Sequence, residues 1–177
     1  MEKNLPVVVF DRIQQLKQWN VPEDTFTYLL KNNLVPMIER VQAELKIPAR
    51  FTAGLLAHTL KHIQGKYPAL PEFSFQKVYD LLKFLMDHDL DLAISKRMLQ
   101  HLYQHPKMDY ESILVTIGFK EIHKHEIMAK VPFLIKKYQQ TRTSSDNDAG
   151  VRWVMGNLST LALGNISLAE LSKHILF

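Results

Sequence analysis

Residues 150–175 read GVRWVMGNLSTLALGNISLAELSKHI, an apolar pattern spaced by threes and fours and broken, after the opening Gly150, by two further glycines and two asparagines. A glycine in a helix interior costs about 1 kcal/mol relative to alanine, so Gly156 and Gly164 each need a reason. Gly164-Asn165 reads as a helix stop, with Ser167 as N-cap of a closing helix. Gly156 stands among Val154, Leu158 and Leu161, where a missing side chain would let another helix approach closely; the alternative is a tolerated glycine without packing significance. Two helices are thus predicted, over about 149–163 and from Ser167 onward.

The same spacing extends toward the N-terminus, and sustained period-two alternation does not occur, so the fold class is all-α. Helices are predicted over Val8–Trp19 (Phe10, Ile13, Leu16 and Trp19 on one face), from Pro22 through Leu30, and over Leu34–Leu45. A further helix begins at Pro48 and stops at Gly65. Ser74 caps FQKVYDLLKFLMDH, Ser95 caps KRMLQHLYQH, and Asp109 caps YESILVTI ahead of Gly118. Lys120–Tyr138 is predicted as a longer helix interrupted at Pro132, and QQTRTSSDNDAG as an exposed connector. The polar DHDLD at 87–91 divides the chain into two small helical bundles in tandem, 1–90 and 91–177.

Composition narrows the function classes. With no cysteine, disulfides, thiolate metal sites and cysteine nucleophiles are excluded. No run of about 18 apolar residues occurs, which argues against a membrane span, and the five-residue apolar stretch 6–10 is too short for a signal-peptide core, so a cytoplasmic location is expected. The formal charge of +4 is compatible with a polyanionic partner without requiring one.

Neither a glycine-rich phosphate loop, a dinucleotide fingerprint nor a nucleophile elbow is present. His58/His62 and His101/His105 have the i, i+4 spacing of a zinc pair, but neither helix carries the metalloprotease glutamate; packed or surface histidines are the alternative. Asp87, Asp89 and Asp91, and Asp146 and Asp148, fall in polar turns that solvation and helix capping explain. A catalytic centre, metal or cofactor is accordingly not expected. Lys61 and Lys66 border the Pro48 helix, and Lys96, Arg97, Lys120, Lys124 and Arg152 punctuate the second half. They read either as solvated helix faces or, gathered into a patch, as contacts to a phosphate backbone.

Three stretches carry a family signal. VPEDTFTYLLKNNLVPMIERV with IPARFTAGLLAHTLKHIQG resembles the helical segment ahead of the tail in GatE of the archaeal-type glutamyl-tRNA(Gln) amidotransferase. FSFQKVYDLLKFLMDHDLDLAISKRMLQHLY is similar to the opening of the tail domain of GatB and GatE and of the YqeY family. VRWVMGNLSTLALGNISLAELSKHI resembles the closing pattern of that domain, with Met155-Gly156 and Gly164 in register. Thr160 and Leu163 replace two basic residues of the pattern, and the catalytic cradle of GatB and GatE has no counterpart. The resemblance implies a YqeY-like second bundle. It also implies a non-catalytic module that holds tRNA, tRNA(Gln) in the family, by shape and phosphates, alongside the other chains of an amidotransferase. Lys61, Lys66, Lys96, Arg97, Lys120, Lys124 and Arg152 are the candidate contacts. A protein-docking module of a tRNA-aminoacylation enzyme, without RNA contact, is the alternative.

Overall fold

Helical spacing becomes helix almost everywhere. The computed structural model describes residues 9–141 and 146–176, and among them there is no strand; the fold is all-α. The chain divides into two units, the described residues of Met1–Lys83 with Leu99–Lys107, and those of Phe84–Met98 with Met108–Phe177. The divisions fall inside two helices, α6 (Gln76–Asp87) and α7 (Ser95–Gln104).

The first unit contains α1 (Val9–Gln18), a 3₁₀ turn (Glu23–Thr25), α2 (Phe26–Lys31), α3 (Val35–Leu45), α4 (Ala49–Gly54) and α5 (Lys61–Lys66), with parts of α6 and α7. Pro48 precedes α4 in extended conformation (φ −56°, ψ 134°), where its lack of an N–H removes nothing from the helix ladder. A π-helical segment, Leu55–Leu60, joins α4 to α5. Of the expected α1 face, Leu16 is fully buried but Phe10 is 64% exposed. The partner helix α2 has six residues, about 9 Å, and cannot cover the roughly 15 Å of α1.

Helix ends in both units repeat one device. Asn20, Asn33, Asp89 and Gly118 adopt positive φ, and the following Val21, Leu34, Leu90 and Phe119 each donate their N–H five residues back, to the carbonyls of Leu16, Leu29, Leu85 and Leu114 at 2.9–3.1 Å. Each is a Schellman cap with an apolar residue just beyond the left-handed one. Asparagine and aspartate tolerate that conformation better than other side chains.

Thr52 is fully buried on α4, and its hydroxyl has no hydrogen-bond partner among the described residues. An orphaned hydroxyl in an apolar interior is unfavourable by about 1–3 kcal/mol. Thr52→Val, nearly the same shape without the hydroxyl, should therefore raise the stability of the first unit by about 1 kcal/mol. Urea unfolding measures this; an unchanged or lower midpoint would show that the hydroxyl is satisfied.

In the second unit, Asp91 accepts from the Ala93 N–H at 3.0 Å and begins a 3₁₀ turn (Leu92–Ile94) that runs into α7. Ser95 is therefore not the cap expected of it: it is the first residue of α7, fully buried, and its hydroxyl donates back to the Leu92 carbonyl at 2.6 Å. Asp109 does cap α8 (Tyr110–Thr116), accepting from the Ser112 N–H at 2.8 Å. That backbone hydrogen bond holds its carboxyl below the usual aspartate range. The helix expected over Lys120–Tyr138 is instead two, α9 (Lys124–Met128) and α10 (Val131–Thr141), preceded by non-helical residues 119–123. Pro132 is the second residue of α10, not its interruption, because no intrahelical donor is needed there.

The expected connector contracts. Gln139–Thr141 complete α10, and α11 (Asn147–Ala162) starts behind the Asp146 cap; residues 142–145 lie outside the described residues. Ser167 caps α12 (Leu168–Lys173), accepting from the Glu170 N–H at 3.1 Å. Val154, Leu158 and Ala162 form an i, i+4, i+8 stripe on α11 that packs with Ile127, Val131, Leu134, Leu171 and Ile175.

Gly156 lies off that stripe. It is exposed, and a methyl group added there would meet nothing within 4 Å, so the close helix approach expected at this glycine does not occur. Gly156→Ala should accordingly stabilise the second unit by about 0.5–1 kcal/mol through helix propensity alone. A lowered thermal midpoint in this variant would mean that the position has a packing role after all.

Candidate nucleic-acid interface

The site begins at the end of α11. Leu163 has φ −59° and ψ 117°, Gly164 has φ +83°, and the Asn165 N–H donates to the Ala162 carbonyl at 2.9 Å. This is a type II turn with glycine at the position that demands positive φ. Gly164 is also a junction. Its carbonyl accepts from the Asp91 N–H at 2.9 Å, and a Cβ on it would lie 2.7 Å from both Ile94 Cδ1 and Phe119 Cε2.

Asn165 continues the construction. Its amide nitrogen donates to the Lys120 and Leu161 carbonyls, both at 2.9 Å, and its oxygen accepts from the Ile122 N–H at 3.0 Å. One side chain thereby fastens the segment before α9 to the end of α11. Both residues belong to the rim of a polar surface cavity of about 360 Å³, whose other lining residues include His88 and Asp89, from the turn after α6, and Glu121, His123, Lys124 and His125. The His123 and His125 rings lie nearly parallel, 17° apart in plane, with centroids 5.6 Å apart. His88 Nδ1 donates to the Phe84 carbonyl at 2.8 Å, which leaves Nε2 as its proton-accepting nitrogen.

The seven expected basic contacts distribute over both units, and all are exposed. Lys61 and Lys66 open and close α5, Lys61 with its ammonium 5.9 Å from the centre of the Tyr28 ring. Burial pushes the Tyr28 hydroxyl up to about 12, against its hydrogen bond to Gln64. In the second unit, Lys96 and Arg97 occupy the first turn of α7, and Lys124 lines the cavity, with Lys120 just before its wall. Arg152 stands apart, paired with Asp146 at 3.1 Å. The other six make no ion pair among the described residues.

No protein family, curated sequence or solved structure matches the chain. The histidine pairs singled out by spacing do not assemble a metal centre: among the described residues no three donors converge on one point, and His58 faces Asp24 at 3.8 Å. The histidines that do gather are His88, His123 and His125, which spacing does not reveal as a group. The His-X-His pattern at 123–125 is the one local signal. In addition, no helix among the described residues is long and apolar enough to cross a membrane.

Proposed function

We propose that the chain is a non-catalytic nucleic-acid-binding module that holds tRNA through phosphates and shape, in the manner of the GatB and GatE tail domains that it resembles. The observation that carries this reading is the availability of Lys61, Lys66, Lys96, Arg97, Lys120 and Lys124, exposed and without an ion pair among the described residues. Exposed cations that make no ion pair suit a partner that brings negative charge. In this reading the cognate molecule is tRNA(Gln), the other chains of the amidotransferase supply the chemistry, and the setting is the cytoplasm.

The test is fluorescence anisotropy with a tRNA transcript and a duplex of equal length across a salt series. Tighter binding of tRNA, with affinity falling steeply as salt rises, is expected. Each phosphate contact contributes about 0.7–0.9 to the log–log slope, so Lys96→Gln/Arg97→Gln should reduce it by about 1.5. Arg152→Gln, whose parent side chain is already paired, should change it least. Absence of binding to either nucleic acid at low salt would sink the reading.

One observation favours a second reading, docking to a partner protein without RNA contact. Met128, Val131, Pro132, Ile135 and Leu176 line an apolar groove of about 560 Å³ between α9, α10 and the chain end. Nearby Phe133 is 68% exposed. Exposed apolar surface of this kind marks interaction sites.

A further inference from the structure

The polar cavity beside Gly164 combines features that belong together chemically. Three imidazoles and one ammonium, on His88, His123, His125 and Lys124, border it with two carboxylates, Asp89 and Glu121, and the Asn165 side chain. Three separated segments supply them, and the wall is fixed by the Asn165 hydrogen bonds and by the Asp91–Gly164 backbone bond. The nearly parallel rings of His123 and His125 would repel each other when both are protonated, and an anion seated between them would remove that repulsion.

We propose that this cavity is a phosphate-binding site that fills when its histidines are protonated. With the imidazoles neutral, Lys124 against Asp89 and Glu121 leaves the lining with one net negative charge. Protonation of His88, His123 and His125 reverses this to two net positive charges, so the cavity changes from repelling an oxyanion to attracting one. The remaining charged groups on the same segments are Asp87 at the end of α6, Asp91, Lys120 and Glu126. Asp91 is occupied by its cap to the Ala93 N–H; none of the other three lines the cavity. A divalent cation is the poorer occupant, because no three donors converge on one point among the described residues. The phosphate can be a free ion or a phosphodiester of RNA; in the second case the inference deepens, and rests on, the tRNA reading.

A phosphate or sulfate presents negative charge and acceptor oxygens, to which imidazolium N–H groups and an ammonium donate. Histidine is the side chain that changes charge between about pH 5 and 8. Binding should therefore take up protons and weaken as pH rises. Sulfate, whose own charge is constant over that range, separates the titration of the protein from that of the ligand.

The experiment is a titration of the intact chain with inorganic phosphate and with sulfate, followed through the histidine ring resonances by NMR at pH 6 and pH 8, against sodium chloride of equal ionic strength. Saturable shifts at His88, His123 and His125 with both oxyanions, roughly tenfold tighter at pH 6 than at pH 8 for sulfate, are expected. His123→Gln/His125→Gln should reduce the pH dependence to the part that His88 supplies while its circular dichroism matches the parent, and Lys124→Gln should weaken binding at pH 6. Shifts reproduced by chloride, or oxyanion binding unchanged between pH 6 and 8, would overturn the proposal. A parallel tRNA titration separates the two readings. Phosphate binding without tRNA binding keeps the site and removes the tRNA role, whereas tRNA binding without oxyanion shifts does the reverse.

Discussion

Replacing Gly164 by alanine is expected to destabilise the second unit by about 2–4 kcal/mol, read as a lowered urea midpoint with unchanged slope. Two independent penalties combine. The backbone at φ +83° is the i+2 position of a type II turn, and a side chain there costs about 1 kcal/mol or more. The new methyl would also lie 2.7 Å from Ile94 Cδ1 and from Phe119 Cε2, and relieving such contacts in a packed interior costs typically 1–3 kcal/mol. Phe119 leads into the cavity wall and Ile94 ends the 3₁₀ turn before α7, so the strain reaches both walls of the junction. The contrast with Gly156→Ala is part of the expectation, because the same substitution eight residues earlier in the chain should have the opposite sign. A Gly164→Ala protein within 0.5 kcal/mol of the parent would refute the turn assignment.

The second large effect is expected at Asn165. Its amide makes three hydrogen bonds to backbone groups of Lys120, Ile122 and Leu161. Each is worth about 0.5–1.5 kcal/mol net, and polar groups left unpaired add to the loss, so Asn165→Ala should cost about 3–4 kcal/mol. The variant Asn165→Asp separates fastening from mere size. A carboxylate can still accept from the Ile122 N–H but cannot donate to the Lys120 and Leu161 carbonyls, and its second oxygen would face both in repulsion, so a loss at least as large as that of alanine is expected. Hydrogen exchange reads the local event: the Ile122 amide should lose protection in the alanine variant and keep it in the aspartate variant. Equal protection in all three proteins would show that the amide is held by something else. Because Asn165 also borders the histidine cavity, the alanine variant should weaken oxyanion binding even at temperatures where the unit stays folded.

Neighbour-scale features are legible in the linear sequence. The spacing of Val78, Leu81, Leu82 and Leu85 announces a buried helix face, and all four are fully buried. Asp109 and Ser167 are readable as N-caps because a cap bonds an N–H within three residues of itself. Lys120–Tyr138 misleads because proline disfavours only the interior of a helix, and Pro132 near the start of α10 is compatible with it. Ser95 misleads because a serine before a helical run has two ways to be satisfied, and a 3₁₀ turn upstream decides between them.

Sequence alone determined the all-α class and most of the apolar helix stripes, since these depend on propensity and on contacts one turn apart. The tertiary structure alone decided that Gly164 is closely packed while Gly156 faces open space. Both glycines interrupt the same helical pattern, and only the positions of Ile94 and Phe119, far along the chain, distinguish them. It also decided that His88, His123 and His125 share one cavity and that Arg152 is paired while Lys124 lines that cavity. Electrostatic and ligand-binding groupings depend on distance in space, and a separation of some 35 residues along the chain leaves no periodic trace from which that distance could be read.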